Sequence, residues 1–196
     1  KKVEGNEQAA TVLYLIWLSL ICGCFWVIEQ PRSSRLFSLP LMLFIATLPG
    51  VRSISYEGCA WGLRPSDWTP AQGDVRTRKG SELFTNNPEL ETLRRRCVDE
   101  PPHQHEVVEG RGTDGVRRST AAAEYTRSFC AAYAASVRHG WEKGLRPTPV
   151  PLRPLSLARL KANLGATPEE LFEGSPWVRG AEPSEPVRQA PQHDAE

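Results

Sequence analysis

Four side chains in this sequence carry the donors of a soft-metal site. Cys97 is followed by His103 and His105 in a Cys-x5-His-x-His arrangement. Two histidines at i and i+2 project to the same side of an extended segment, and Pro101-Pro102 holds the approach extended. A thiolate and two imidazoles are ligands that zinc prefers, and Cys59, inside the turn Gly58 to Gly62, supplies a fourth if the strands on either side of that turn pair. The set would then close a structural Cys2His2 site. Its spacing is not that of a zinc finger. The competing reading is an exposed His-Gln-His loop and two ordinary buried cysteines.

A second centre is a lone carboxylate. The apolar run Phe25 to Ile28 ends on Glu29 and is followed by Gln30, Pro31 and the polar turn Arg32-Ser33-Ser34. A buried strand that delivers one acid to its C-terminal edge and then breaks at a proline is how open α/β sheets present a functional group. The alternative is an acid that caps the next helix. Basic residues form a third set. Arg76, Arg78 and Lys79 lie before a strand, Arg94 to Arg96 end a helix, and Arg111, Arg117 and Arg118 flank a Gly-rich segment. Each cluster is a candidate for phosphate contact or a solvated face. Arg76, Arg78 and Lys79 are the residues we take as candidate nucleic-acid contacts.

The elements that must position these groups follow from pattern. Gln8 to Leu20 reads as a buried helix that stops at Cys22-Gly23-Cys24, with the β-rich Phe25-Trp26-Val27-Ile28 directly after it. Leu36 to Leu48 reads as a second buried helix ended by Pro49-Gly50. Val51 to Tyr56 alternates as a half-exposed strand does, and Ser81 to Thr85 is a strand that can pair with it. Asn87 caps a short helix from Pro88 to Arg96, and Glu106 to Glu109 is a short strand. Ser119 to Val137, capped by Ser119 or Thr120 and ended by Gly140, is the clearest helix, with Tyr125, Phe129, Ala132 and Tyr133 on one face. The composition changes after Trp141. Residues 1–140 therefore form one α/β unit. Residues 141–196 form a Pro-rich tail, largely disordered, with one isolated helix over Leu155 to Leu164, a turn after Thr167-Pro168, and disorder over the last twenty residues.

The uncharged run Thr11 to Ile28 poses the one question of class. It approaches the lower limit of a membrane span, roughly 17 residues. The break at Gly23, the β-rich segment after it and the polarity of the remaining chain favour a soluble, intracellular protein over a membrane-anchored one. The charge balance, with 24 Lys and Arg against 23 Asp and Glu, gives no global footprint for nucleic acid. Five cysteines without the shape of a signal peptide argue against a secreted disulfide scaffold. There is no Gly-rich phosphate or dinucleotide loop, no Gly-x-Ser-x-Gly and no His-Glu-x-x-His. Cys22 and Cys24 have no nearby base to activate them. The chain begins at Lys1 and its single methionine is Met42, so we expect further sequence upstream.

Five stretches in order carry a resemblance: IEQP with RSS and RLF, SYEGCAWG, KGSELFTNN, the Cys-x5-His-Gln-His run, and AAAEYTRSFCAAYA. Together, over Cys24 to Val137, this pattern resembles the C-terminal half of cytosine-C5 DNA methyltransferase-like proteins of the phage and retroelement type. The resemblance implies a partial Rossmann-like methyltransferase sheet with flanking helices. It implies that IEQP corresponds to the family's Glu-Asn-Val motif, and that Glu29 contacts the flipped cytosine and assists protonation at its ring nitrogen. The helix from Ala121 to Val137 would pack beside the cofactor pocket. Gln30 departs from the family's Asn, and the family's Gln-x-Arg-x-Arg signature has no clean match beyond the character of Arg76 and Arg78. The Gly-rich cofactor motif and the Pro-Cys nucleophile precede the glutamate strand in that family. They are not in this sequence, so the resemblance implies an incomplete enzyme that takes S-adenosylmethionine only when the missing half is supplied. A small zinc-stabilised module that binds nucleic acid or protein is the alternative.

Overall fold

A computed structural model describes residues 2–98 and 102–171 of the chain. Helix α1 (Lys2–Ile21) begins earlier than its apolar face suggests and stops where expected. Gly23 adopts φ 62°. Its amide and that of Cys24 turn back to Leu20 O (3.4 Å) and Ser19 O (2.8 Å), which satisfies carbonyls the helix end would otherwise orphan. A side chain at Gly23 would meet Pro149 Cγ at 2.9 Å, so glycine is required there twice over. Among the described residues no helix is long and apolar enough to cross a membrane.

Three strands form the main sheet: β1 (Val27–Pro31), β2 (Arg52–Glu57) and, after a short β3 (Val75–Thr77), β4 (Gly80–Thr85). β4 lies between β1 and β2 and is antiparallel to both, with Glu29 opposite Leu83 and Ile54 opposite Leu83 from the other side. β1 and β2 therefore run parallel to each other, joined through a 3-10 turn (Arg35–Ser38) and helix α2 (Pro40–Ala46). The expected α/β class holds, and the expected pairing of the Val51 and Ser81 strands holds with it. β4 lies between them and runs against both, so the three-stranded sheet is antiparallel throughout rather than the parallel array that an acid at a strand's C-terminal edge suggested. Glu29 is correspondingly the third of five residues in β1, not its last. Pro31 does not break the strand. The amide of Arg32 bonds Gly80 O at 3.2 Å, which puts Pro31, opposite Ser81, in a pair without ladder bonds, where a missing N–H costs nothing.

Two helices differ from their sequence boundaries. Leu36 to Leu48 is not continuous. Leu39, held extended before Pro40, ends the 3-10 turn, and Pro40 takes the first position of α2. The long C-terminal helix is likewise divided, into α3 (Arg118–Ala121) and α4 (Arg127–Glu142), because Thr126 caps α4 through its hydroxyl on the Phe129 amide at 3.2 Å. Gly140 lies inside α4, where a side chain would press on Glu89 Cγ at 3.3 Å, and Gly144 at φ 65° follows the end of α4 instead. The segment after Asn87 is a 3-10 helix over Pro88–Leu93, shorter than expected, because Arg95 leaves to pair with Tyr56 along the edge of β2.

The sheet is covered on both faces. Ala10, Leu13, Ile16, Trp17 and Leu20 of α1 pack with Leu41, Met42 and Ile45 of α2 on one side, where Ile28 and Phe84 reach them. On the other side Ile54, Tyr56, Leu83, Leu90, Leu93 and Phe129 of α4 form a second cluster with Trp61. The stretch assigned to a tail contributes to the first layer. Helix α5 (Leu157–Ala162) packs on α1 and α6 (Pro168–Leu171) on α2, and Leu155, Leu160 and Leu171 join the same buried layer, so the Leu155 helix is not isolated. The disorder expected for the last twenty residues lies outside the described residues.

Candidate metal centre and an adjoining carboxylate

The sequence scatters the four metal donors over nearly fifty positions, and three local devices gather them. Cys59 sits on the 3-10 turn Gly58–Trp61 that closes β2, and it is fully buried. Cys97 ends the segment that runs along β2, and its amide donates to Glu57 Oε2 at 3.0 Å. His103 and His105 flank Gln104 at strand β5 (Gln104–Glu106), which pairs in parallel with β3, Arg76 opposite His105.

One ligand atom from each of Cys59, Cys97, His103 and His105 falls within 4.8 Å of the others. Cys97 Sγ is 3.4 Å from His103 Nε2 and 3.2 Å from His105 Nε2, and the two Nε2 atoms are 3.0 Å apart. The imidazole planes stand at 85°, so both nitrogens aim at one point without stacking. Tetrahedral zinc ligands lie roughly 3.3–3.8 Å from one another at normal bond lengths. Four electron-rich atoms this close are stabilised by a cation between them, and the group can hold a metal ion. Burial, and next the Cys97 sulfur, push the Cys59 thiol up to about 12 in the metal-free chain. A cation must displace that proton, so metal affinity rises with pH.

The groups behind the donors are fixed as well. Arg76 forks onto Asp74 through Nε (3.1 Å) and Nη2 (2.7 Å) and donates from Nη1 to Cys59 O at 3.2 Å. The Arg76 hydrogen bond holds the Asp74 carboxyl below the usual range. Asp74 O accepts the Gln104 amide at 3.0 Å, which locks the His-Gln-His segment in register. Partners of this kind orient ligating side chains and tune them.

The three basic residues proposed for nucleic acid do not form an open patch. Arg76 is committed to Asp74 and the Cys59 turn. Arg78 Nη2 faces Glu57 Oε1 at 3.8 Å, its side chain mostly exposed, and Lys79 Nζ faces Glu29 Oε1 at 3.8 Å, largely buried.

Glu29 itself is the centre of a second cluster. It points from β1 toward α4. Oε1 accepts the hydroxyl of Tyr56 at 3.1 Å and Oε2 the hydroxyl of Tyr125 at 2.8 Å. Burial, with the Glu29 charge next in order for Tyr56 and its hydrogen bond next for Tyr125, pushes both phenols far above their ordinary range. Both therefore stay protonated donors. The carboxylate opens onto a groove lined by Val27, Leu83, Tyr125, Phe129, Cys130 and Tyr133. The alternative of a helix-capping acid does not apply, since the next turn is capped by Ser34 through the Leu36 amide. The tyrosines, Glu57 and Asp74 escaped the sequence reading. Tyr56 alternates with Ile54 and so shares its face, which was the available signal, whereas Tyr125 looks like one more apolar position of a helix.

No family model matches this chain, and neither a curated protein nor a solved structure matches it.

Proposed function

We propose that this chain is the C-terminal part of a cytosine-C5 DNA methyltransferase-like domain, with a structural zinc held by Cys59, Cys97, His103 and His105. The observation that carries the reading is the setting of Glu29. It is a largely buried acid held by two hydroxyl donors and faced by one ammonium, at the edge of an accessible apolar groove. A carboxylate in that setting can accept hydrogen bonds from the edge of a planar base while the groove stacks the ring. The chemistry of methyl transfer needs a cofactor loop and a cysteine nucleophile that these residues do not supply, so the chain by itself binds S-adenosylmethionine weakly or not at all.

Titration with 2′-deoxycytidine 5′-monophosphate, followed on the ring signals of Tyr125 and Tyr133 by NMR, tests the base-facing role. Both signals shift with the cytosine nucleotide, shift less with thymidine monophosphate, and stay still in Glu29→Ala. Unmoved tyrosines at millimolar nucleotide refute it.

A second reading is favoured by the metal centre. A small zinc-stabilised module that binds nucleic acid or protein without catalysis needs only the four donors and the loops they tie. Metal analysis by mass spectrometry reads one zinc per chain on either account. Retention of nucleic-acid binding in Glu29→Ala separates the two.

A further inference from the structure

The metal centre and the Glu29 carboxylate share one run of backbone. Tyr56, Glu57, Gly58 and Cys59 are consecutive, and each makes a different link. Tyr56 donates its hydroxyl to Glu29 at 3.1 Å, and Glu57 accepts the Cys97 amide at 3.0 Å. The Gly58 amide donates to Lys79 O at 2.8 Å, and Cys59 supplies its sulfur to the donor set. The residue before Lys79 is tied as well, since the Arg78 amide donates to Glu106 O of β5 at 3.0 Å, and in the same β3–β5 ladder Arg76 stands opposite His105 and holds the carbonyl of Cys59.

The turn has no slack. A side chain at Gly58 would lie 2.7 Å from Leu63 Cδ2. Leu63 in turn bonds Gly58 O at 2.9 Å and accepts the Thr77 amide at 2.8 Å. A displacement of Cys59 is therefore passed along this lattice to Tyr56 and Lys79 rather than absorbed. Of the three groups that face Glu29, these two come from backbone that the ligand set clamps. Tyr125 comes from the segment leading into α4 and is independent of it.

We infer that the metal centre is a positioning device for the Glu29 carboxylate. With the cation bound, Tyr56 and Lys79 are held on Oε1. When the cation leaves, both are released and Glu29 keeps only Tyr125 on Oε2. Tyr56 and Lys79 are thus positioning residues whose placement depends on metal occupancy. The inference rests on the zinc assignment above.

The experiment follows the side-chain carboxyl carbon of Glu29 by NMR, assigned from its loss in Glu29→Gln, in zinc-loaded, chelated and reconstituted protein. The ring signals of His103 and His105 report the cation, and the Trp17 indole reports the distant layer. The Glu29 signal moves on chelation and returns with zinc. That response is lost in the Tyr56→Phe, Lys79→Met double variant, although its histidines still report the cation. A Glu29 signal that stays put while the histidines respond overturns the inference and leaves the metal reading intact. Histidines that ignore zinc overturn both. If the Trp17 signal shows that chelation unfolds the chain, zinc is exchanged for the larger cadmium ion, which strains the site without emptying it. A Glu29 signal identical in the zinc and cadmium forms then overturns the inference.

Discussion

The two ends of this fold are ordered by opposite means. Beneath α1 the order comes from apolar area: Ala10, Leu13, Trp17, Leu41, Met42, Ile45, Leu160 and Leu171 are each no more than 1 % exposed. Around Cys59 the strands β3 and β5 have three residues each, and the connecting loops are rich in Pro, Gly and charge. Such loops bury too little to offset the cost of ordering them, about 1–2 kcal/mol of backbone entropy per residue. What converges at their centre instead is four metal donors. A chain can thus hold a polar region still by cross-linking it where burial is insufficient, and the cross-link then becomes a point of control that a hydrophobic layer never offers.

The contrast breaks most visibly when the cross-link goes. Chelation, or Cys97→Ser, is expected to loosen the segment from Gly58 to Glu109, with amide exchange there accelerating by orders of magnitude. Structural zinc contributes on the order of 10–16 kcal/mol in isolated peptides. The amides of α1 should be unaffected. Equal acceleration in α1 would show that the two ends unfold as one unit and that the division is wrong. Next in size is Leu13→Ala, which hollows the fully buried side of α1. It should cost about 2–5 kcal/mol in denaturant unfolding and leave one zinc per chain in place. Loss of zinc in that variant would mean that the apolar layer also supports the metal loops. The smallest effect is Thr126→Ala, which removes the cap of α4 and should cost about 1 kcal/mol with no change in either metal content or α1 exchange. A larger loss would place Thr126 in the groove rather than at a helix end.

Much of the metal region was legible because donor types and spacing are local information. His103 and His105 had to share a side if extended, and Cys97 had to be near them. Only Cys59 required a tertiary event, the pairing of β2 with β4, and that pairing was itself readable from alternation in Val51 to Tyr56. The stop of α1 was legible from Gly23 for the same reason. Other features depended on competition that a sequence window does not contain. Pro40 and Thr126 each outbid a longer helix by offering a better start. Pro31 looked like a breaker because its register against β4 was invisible, and Glu29 was misplaced along its strand in consequence. The grip on Glu29 was hidden most deeply, since Tyr125 lies 96 positions away and is indistinguishable by pattern from a core aromatic.

The indole of Trp17 donates to the carbonyl of Arg153 at 2.8 Å, across 136 positions of sequence. Val150 likewise gives its amide to Leu20 O at 2.9 Å. Among the described elements, α1 is made well before the residues that finish its apolar side. Until that segment is made, α1 has only α2 and the near face of the sheet to rest against. The vectorial order of synthesis therefore leaves part of the apolar side of α1 uncovered until late, a condition that favours non-native association. Release of the segment around Arg153 from the ribosome, rather than the appearance of any strand, sets the moment at which the first layer can close.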